Sequence, residues 1–235
     1  MRELVNGYIT RLRWWLFWRK LEFLEFRKFH LWPRRLDLSE RGTLLTALRS
    51  VSPFENVLEV GAAFGQNLHL AAPLFPEAKF LGIDRDGQKI AAAAEFFDRL
   101  GFSNVALETR DAKKLQEIPD RSFAIVYTFA LLLYLRPEDL AGVLAEFVRI
   151  AGRRVFLLEQ QIRSNTSKIG PKSAFVPRAD GLQGYWLHDY VGTLAQIVPK
   201  QYISTTPVVN ATLQGEQWRD LGTLITVDVE AWRTQ

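Results

Sequence analysis

Cysteine is absent from this chain of 235 residues. That excludes disulfide frameworks, thiolate-bound zinc and thiol nucleophiles together, and it fits a reducing compartment. Histidine is scarce: three residues leave little material for a metal site, and none is expected. Glycine, at 15, and proline, at 10, are too few for a collagen-like or low-complexity chain. No apolar run approaches the roughly 20 residues of a membrane-spanning helix. The longest run near the N-terminus, residues 14–18, is also too short for the apolar region of a signal peptide. A cytoplasmic protein is expected, and with 48% apolar residues it has the means to fill a sizeable core.

The net charge of +4 is unevenly spread, since residues 1–41 hold 10 basic and 5 acidic side chains and the remainder 20 and 21. Nine aromatics (Tyr8, Trp14, Trp15, Phe17, Trp18, Phe23, Phe26, Phe29 and Trp32) crowd the same stretch, which closes at Pro33-Arg34-Arg35. Residues 1–38 therefore read as a basic, aromatic-rich helical extension and residues 39–235 as the main domain. On a helical wheel the apolar residues of the extension fall on every side, so it is no simple amphipathic stripe. It is expected to be covered by the domain, by a second subunit in a homo-oligomer, or by a membrane surface. Nucleic acid is disfavoured, because no basic surface continues beyond residue 41.

Past Ser39, a candidate helix cap, residues 40–50 read as helix, and a regular alternation follows. Short apolar runs at 56–60, 79–83, 105–109, 123–127 and 154–159 predict strands. Helical runs at 66–74, 88–100 (stopped by Gly101) and 137–150 (proline first, Gly152 just past the end) separate most of them. This pattern implies a parallel sheet covered on both faces. Residues 160–184, rich in Ser, Lys, Gly and Pro, predict a long loop, with a helix over about 187–197 after it. Runs at 202–209 and 223–230 lack a crossover helix and predict an antiparallel pair. The expected fold is a single Rossmann-like α/β domain: a mostly parallel seven-stranded sheet closed by an antiparallel hairpin.

The chemistry is concentrated at strand ends. Glu59-Val60-Gly61-Ala62-Ala63-Phe64-Gly65 is a buried strand running into a small-residue loop and a helix, where glycines let the backbone approach a ligand. The next strand ends in Asp84, 19 residues after Gly65, placed to hold both hydroxyls of a ribose, with Arg85 beside it. The third ends before Asp111-Ala112, where the edge of a nucleobase would lie. All three ends converge on one crevice.

The series resembles the class I S-adenosylmethionine-dependent methyltransferases, with a match by motif over about residues 40–160. Residues 59–65 resemble the family's acidic-x-Gly-x-Gly-x-Gly motif, whose loop embraces the methionine part of S-adenosyl-L-methionine. The resemblance implies that Asp84 binds the ribose and Asp111 the adenine amino group, with Ala112 beside the ring. It also implies that Glu59 acts through the loop or on the cofactor's amino group. Ala63 stands where the family has its middle glycine, which the loop tolerates if φ is negative; Ala124 stands where many members have Asp, so no acid acts there.

On the acceptor side Tyr127, Thr128, Phe129 and Tyr134 follow the fourth strand and are expected to border the sulfonium. Glu159 ends the fifth strand. His188 is read as the general base at the open end of the long loop, with Asp189 able to orient it only through space, whereas His69 reads as a packed helix residue. Arg163, Lys168, Lys172 and Arg178 suggest a lid over an anionic acceptor, such as a sugar or lipid intermediate. The expected function is methyl transfer to oxygen or nitrogen of a small or carrier-linked acceptor. Two alternatives stand beside it. A nicotinamide-dependent oxidoreductase would also want the loop and Asp84, but Gly-x-x-x-Gly lacks the Gly-x-Gly-x-x-Gly turn. A non-catalytic assembly protein of the same fold would account for Ala63 and Ala124.

Overall fold

The computed structural model describes residues 39–162, 173–177, 184–208 and 216–235. The expected N-terminal extension, and Arg163, Lys168, Lys172 and Arg178 of the expected lid, lie outside the described residues. In chain order the elements are α1 (Ser39–Ser50), β1 (Asn56–Val60), α2 (Gln66–Ala71), β2 (Lys79–Asp84), α3 (Gly87–Leu100), β3 (Val105–Thr109), β4 (Phe123–Phe129), α4 (Pro137–Ile150), β5 (Ala151–Gln160), β6 (Ser173–Val176), β7 (Tyr185–His188), α5 (Tyr190–Leu194), β8 (Ile203–Pro207), α6 (Glu216–Leu221), β9 (Gly222–Asp228) and α7 (Val229–Arg233). A 3-10 turn at Leu132–Tyr134 joins β4 to α4, and another at Ala72–Leu74 closes α2.

Seven strands make one sheet in the order β3-β2-β1-β4-β5-β9-β8. β1 to β5 are parallel, and β9 runs antiparallel between β5 and β8. The central strands are nearly continuous apolar runs because both faces are covered. Val57, Leu58, Ile125, Val126, Val155, Leu157 and Leu158 have no exposed surface. α4 covers Leu58, Val126, Val155 and Leu157 with Leu140, Leu144, Phe147 and Val148, spaced three and four apart on one stripe. Each such side chain contributes roughly 1.5 to 3 kcal/mol when fully buried. α3 starts where the Asp86 carboxylate accepts the N–H groups of Gln88 and Lys89, and ends at Gly101 with φ 71°.

This geometry fixes where a ligand can sit. Strand order reverses between β1 and β4, and the register pairs Val60 with both Ile83 and Thr128, and Asp84 with Thr109. The strand ends are therefore level and open one crevice at the switch point.

The tail differs from the sequence reading. α4 passes straight into β5, so Gly152 lies within a strand rather than past a helix end. The expected loop over 160–184 contains β6, and β7, at Tyr185–His188, takes the first two residues of the helix expected over about 187–197, leaving α5 only five residues. The cause is backbone pairing: Ser173 to Val176 offer a partner to Tyr185 to His188, and the two make a separate antiparallel sheet. A short helix, α6, also stands between the final strands, where none was expected.

Candidate active site

β1 leaves the sheet through the loop from Gly61 to Gly65. The N–H groups of Gly61 and Ala62 both donate to the Ile83 carbonyl, at 2.8 and 2.9 Å, folding the loop back over β2. Gly61 and Gly65 have φ of 81° and 72°, where glycine alone is unstrained. Neither position has room for a side chain: a Cβ on Gly61 would lie 2.8 Å from Leu131 Cδ1, and one on Gly65 2.5 Å from Phe97 Cε2.

Ala63 corrects the expectation of a negative φ, since its φ is 49°. A left-handed conformation costs an L-residue roughly 1 to 2 kcal/mol. Its N–H donates to Asp84 Oδ2 at 2.9 Å, a charge-assisted bond that holds the residue there. Ala63→Gly is expected to raise the unfolding free energy by up to about 1 kcal/mol, the relieved strain being partly offset by glycine's freedom in the unfolded chain. Denaturant unfolding measures this, and a loss of stability would show that Ala63 is not strained.

Asp84 is half-buried at the end of β2. Its Oδ2 takes the Ala63 N–H and its Oδ1 the Asp86 N–H, the latter also at 2.9 Å. A carboxylate has about four acceptor positions, so two remain for hydroxyl donors. The Asp84 carbonyl accepts the Arg110 N–H at 3.0 Å, which ties the end of β3 to β2. Beyond it Asp111 Oδ1 accepts the Lys113 N–H at 2.9 Å, and half-buried Ala112 packs on the core. Arg85 is exposed. The structure thus brings Gly61, Ala63, Gly65, Asp84, Arg85, Asp111 and Ala112 to three adjacent strand ends.

Glu59 has no exposed surface. Its Oε1 accepts from Asn67 Nδ2 at 2.6 Å and its Oε2 from the Tyr127 hydroxyl at 3.0 Å, while Arg41 Nε donates to Asn67 Oδ1 at 2.7 Å. The Arg41 guanidinium also stands 5.1 Å from the centre of the Phe129 ring. Burial pushes the Glu59 carboxyl up to about 8, against the lowering effects of Asn67, Tyr127 and Arg41. Asn67 is the second residue of α2, so Glu59 reaches the loop through it.

On the other side of the switch point Glu159, also fully buried, turns Oε1 to three donors: Thr128 Oγ1 at 2.9 Å, Leu131 N at 3.0 Å and Leu132 N at 3.1 Å. Burial pushes its carboxyl up to about 7, against those bonds. Oε2 and the Tyr190 hydroxyl are both buried without a hydrogen-bond partner. Tyr134, on the turn after β4, is 54% exposed. His188 is not at a loop end. It lies on β7 with no exposed surface, accepting or donating 2.7 Å from Ser173 Oγ through Nδ1 and 3.2 Å from the Leu135 carbonyl through Nε2. A carbonyl only accepts, so Nε2 carries the proton and Nδ1 accepts from the serine. Burial lowers its pKa, in keeping with a neutral ring. Asp189 caps α5 through the Gly192 N–H and accepts from Gln161. His69 is buried against Phe96, Phe97 and Phe102. A groove of about 630 Å³ between α1 and strands β5, β8 and β9 contains none of the expected site residues.

Residues 57–152 match the family described as "Methyltransferase domain". That segment holds the glycine loop, Asp84, Asp111 and Thr128 together. The matched segment, less than half of the chain, is similar to a methyltransferase domain. The protein is similar in fold to the PH0226 protein of Pyrococcus horikoshii OT3, with a TM-score of 0.61 and 18% identity, covering 81% of this chain and 89% of that one. It is likewise similar to a geranyl diphosphate methyltransferase solved with S-adenosylmethionine, with a TM-score of 0.58 and 17% identity over 81% and 84% of the two chains. A curated relative, ribosomal RNA small subunit methyltransferase G of Chlorobaculum tepidum, is 40% identical over 68 residues. That match spans 28% of this chain and only 31% of the relative's length.

The structure redistributes some of the expected roles. His188, with both ring nitrogens engaged inside the protein, fits a pin between β7 and the turn after β4, not a base that meets an acceptor. Tyr127, expected to border the sulfonium, is a fully buried partner of Glu59. Arg41, Asn67 and Leu131 escaped the sequence reading. Asn67 carried a weak signal, an amide at the start of the helix that leaves the glycine loop. Arg41 and Leu131 carried none, because their partners are brought to them only by the fold.

Proposed function

We propose that this chain transfers the methyl group of S-adenosylmethionine to an oxygen or nitrogen of a small or carrier-linked acceptor that enters over the ends of β4 and β5. One observation supports this most directly. Asp84 is joined by hydrogen bond to the glycine loop at Ala63, so the ribose-binding carboxylate and the loop form one preset surface. Its chemistry fits the cofactor: two acceptor positions remain for a pair of hydroxyls, and Gly61 and Gly65, at positive φ, turn the loop sharply beside them. When bound, S-adenosylmethionine supplies a methyl carbon already activated by positive sulfur. The remaining task falls to positioning, for which well-oriented reactants gain several kcal/mol. Asp84 and the loop hold the ribose and methionine parts, and Asp111 with Ala112 borders the adenine. The exposed Tyr134 flanks the path of the acceptor, while Thr128 is fully buried and donates its hydroxyl to Glu159.

Among the described residues no helix is long and apolar enough to cross a membrane. The short match to a ribosomal RNA enzyme does not carry an RNA acceptor over to this chain, and the main body lacks a basic excess. Equilibrium binding of S-adenosylmethionine, its demethylated product and a nicotinamide dinucleotide tests the assignment. Micromolar affinity for the first two, about 8 kcal/mol, and none for the third is expected. Binding of the dinucleotide alone would favour an oxidoreductase, and binding of none would favour an assembly protein.

A further inference from the structure

The turn from β4 to α4 is held in an unusual way. Ala130, its first residue, has φ 53°, a strained conformation for alanine, and its N–H donates to the Leu158 carbonyl at 3.0 Å. The next two N–H groups, of Leu131 and Leu132, both converge on one oxygen of Glu159, which the Thr128 hydroxyl also reaches. At its far end the Leu135 carbonyl is tied to His188 on β7. The side chain placed by this clamp is Leu131, which lies directly over Gly61, the first residue of the glycine loop. The Leu131 Cδ1, Cβ and Cδ2 atoms stand 2.8 to 3.0 Å from where a Cβ on Gly61 would be, so Leu131 fills the space that glycine leaves open.

We infer that Glu159 is a positioning residue for the cofactor loop: through the backbone of Leu131 and Leu132 it sets the Leu131 side chain against Gly61 and so fixes the loop in its ligand-ready form. This rests on the cofactor reading above. The causal order follows from strength. Ala130 alone would relax out of its left-handed conformation, and three hydrogen bonds to one carboxyl oxygen oppose that relaxation. Without them the turn drifts, Leu131 lifts from Gly61, and the loop gains conformations that a ligand must select against. Affinity falls in proportion to the fraction of loops left competent. Glu159 touches neither reacting atom in this account.

A double-mutant cycle on the full chain decides it, read as affinity for S-adenosylhomocysteine well below each variant's melting temperature. Glu159→Leu is expected to weaken binding about tenfold, and Leu131→Ala by a similar factor. The double variant should be no weaker than the worse single one, because both remove the same restraint. Glu159→Gln keeps a carbonyl oxygen for the three donors and should recover most of the loss. Tight binding by a folded Glu159→Leu protein, or losses that multiply in the double variant, would overturn the inference. If Glu159→Leu does not fold, Leu131→Ala decides alone: unchanged affinity there refutes the link to Gly61. A parent protein that fails to bind S-adenosylhomocysteine refutes the cofactor reading instead, and the two failures are thus distinct.

Discussion

Asp84→Ala is expected to lower the affinity for S-adenosylhomocysteine by ten- to several-hundredfold, as calorimetry on a variant that still unfolds cooperatively would measure. Two effects add. On the proposed reading the ribose hydroxyls lose a carboxylate acceptor, at roughly 1.5 to 3 kcal/mol for a hydrogen bond to an ionised group. The N–H groups of Ala63 and Asp86 lose theirs as well, so the strained Ala63 is released and the loop becomes less ordered. A tenfold change in affinity is about 1.4 kcal/mol, so even the lower bound is readily measured. Asp84→Asn separates the contributions. In the parent both oxygens accept from backbone N–H groups, whereas an amide has one oxygen and one donor nitrogen. Asparagine must leave one N–H facing a donor, and its loss should approach that of alanine. Affinity unchanged in both variants would remove Asp84 from the cofactor site and with it the main support for methyl transfer.

The parts of the fold legible in the sequence were those whose residues carry their own context. β1 and β3 begin and end where apolar runs meet turn residues, α3 ends at Gly101 and α4 begins at Pro137, each with a local mechanical reason. The order of carboxylates at Asp84 and Asp111 was readable because a parallel sheet puts successive strand ends side by side. What could not be read depends on partners distant in the chain. Tyr185-Trp186-Leu187-His188 has no helix–strand signature of its own; its state is decided by Ser173 to Val176, hidden in a stretch of turn-like composition. The φ of Ala63 is set by Asp84, 21 residues on, and nothing in the letters 61–65 distinguishes a positive from a negative value. Glu59 was legible as a buried acid, but its partners lie 8 and 68 residues away and could not be named.

Glu59→Gln is expected to remove a slope from the pH dependence of stability. The Glu59 carboxyl lies at about 8 in the folded protein, pushed up by burial, against an ordinary value of 4.5. Below the ordinary value it is protonated in both folded and unfolded chains. Between the two values the folded protein keeps a proton that the unfolded chain has released, so stability falls as pH rises and levels off above the folded value. At about 1.36 kcal/mol per unit the loss reaches roughly 5 kcal/mol at most, and relaxation around the buried charge reduces it to an order of 2 to 4. Glutamine retains the local geometry, since its carbonyl can accept from Asn67 Nδ2 and its amide can donate to the Tyr127 oxygen. It carries no charge to bury. Glu159, raised to about 7, and His69, lowered to about 4 by burial, also make stability depend on pH. Both are present in parent and variant and cancel in the difference. Denaturant unfolding at pH 5.5 and pH 8.5 therefore isolates Glu59: relative to the parent, the glutamine variant should gain about 2 kcal/mol or more between the two. Parallel stability curves would mean that the Arg41–Asn67–Tyr127 network solvates an ionised Glu59 well enough to hold it near its ordinary value. The buried acid beside the glycine loop would then be a permanent negative charge facing whatever the loop binds.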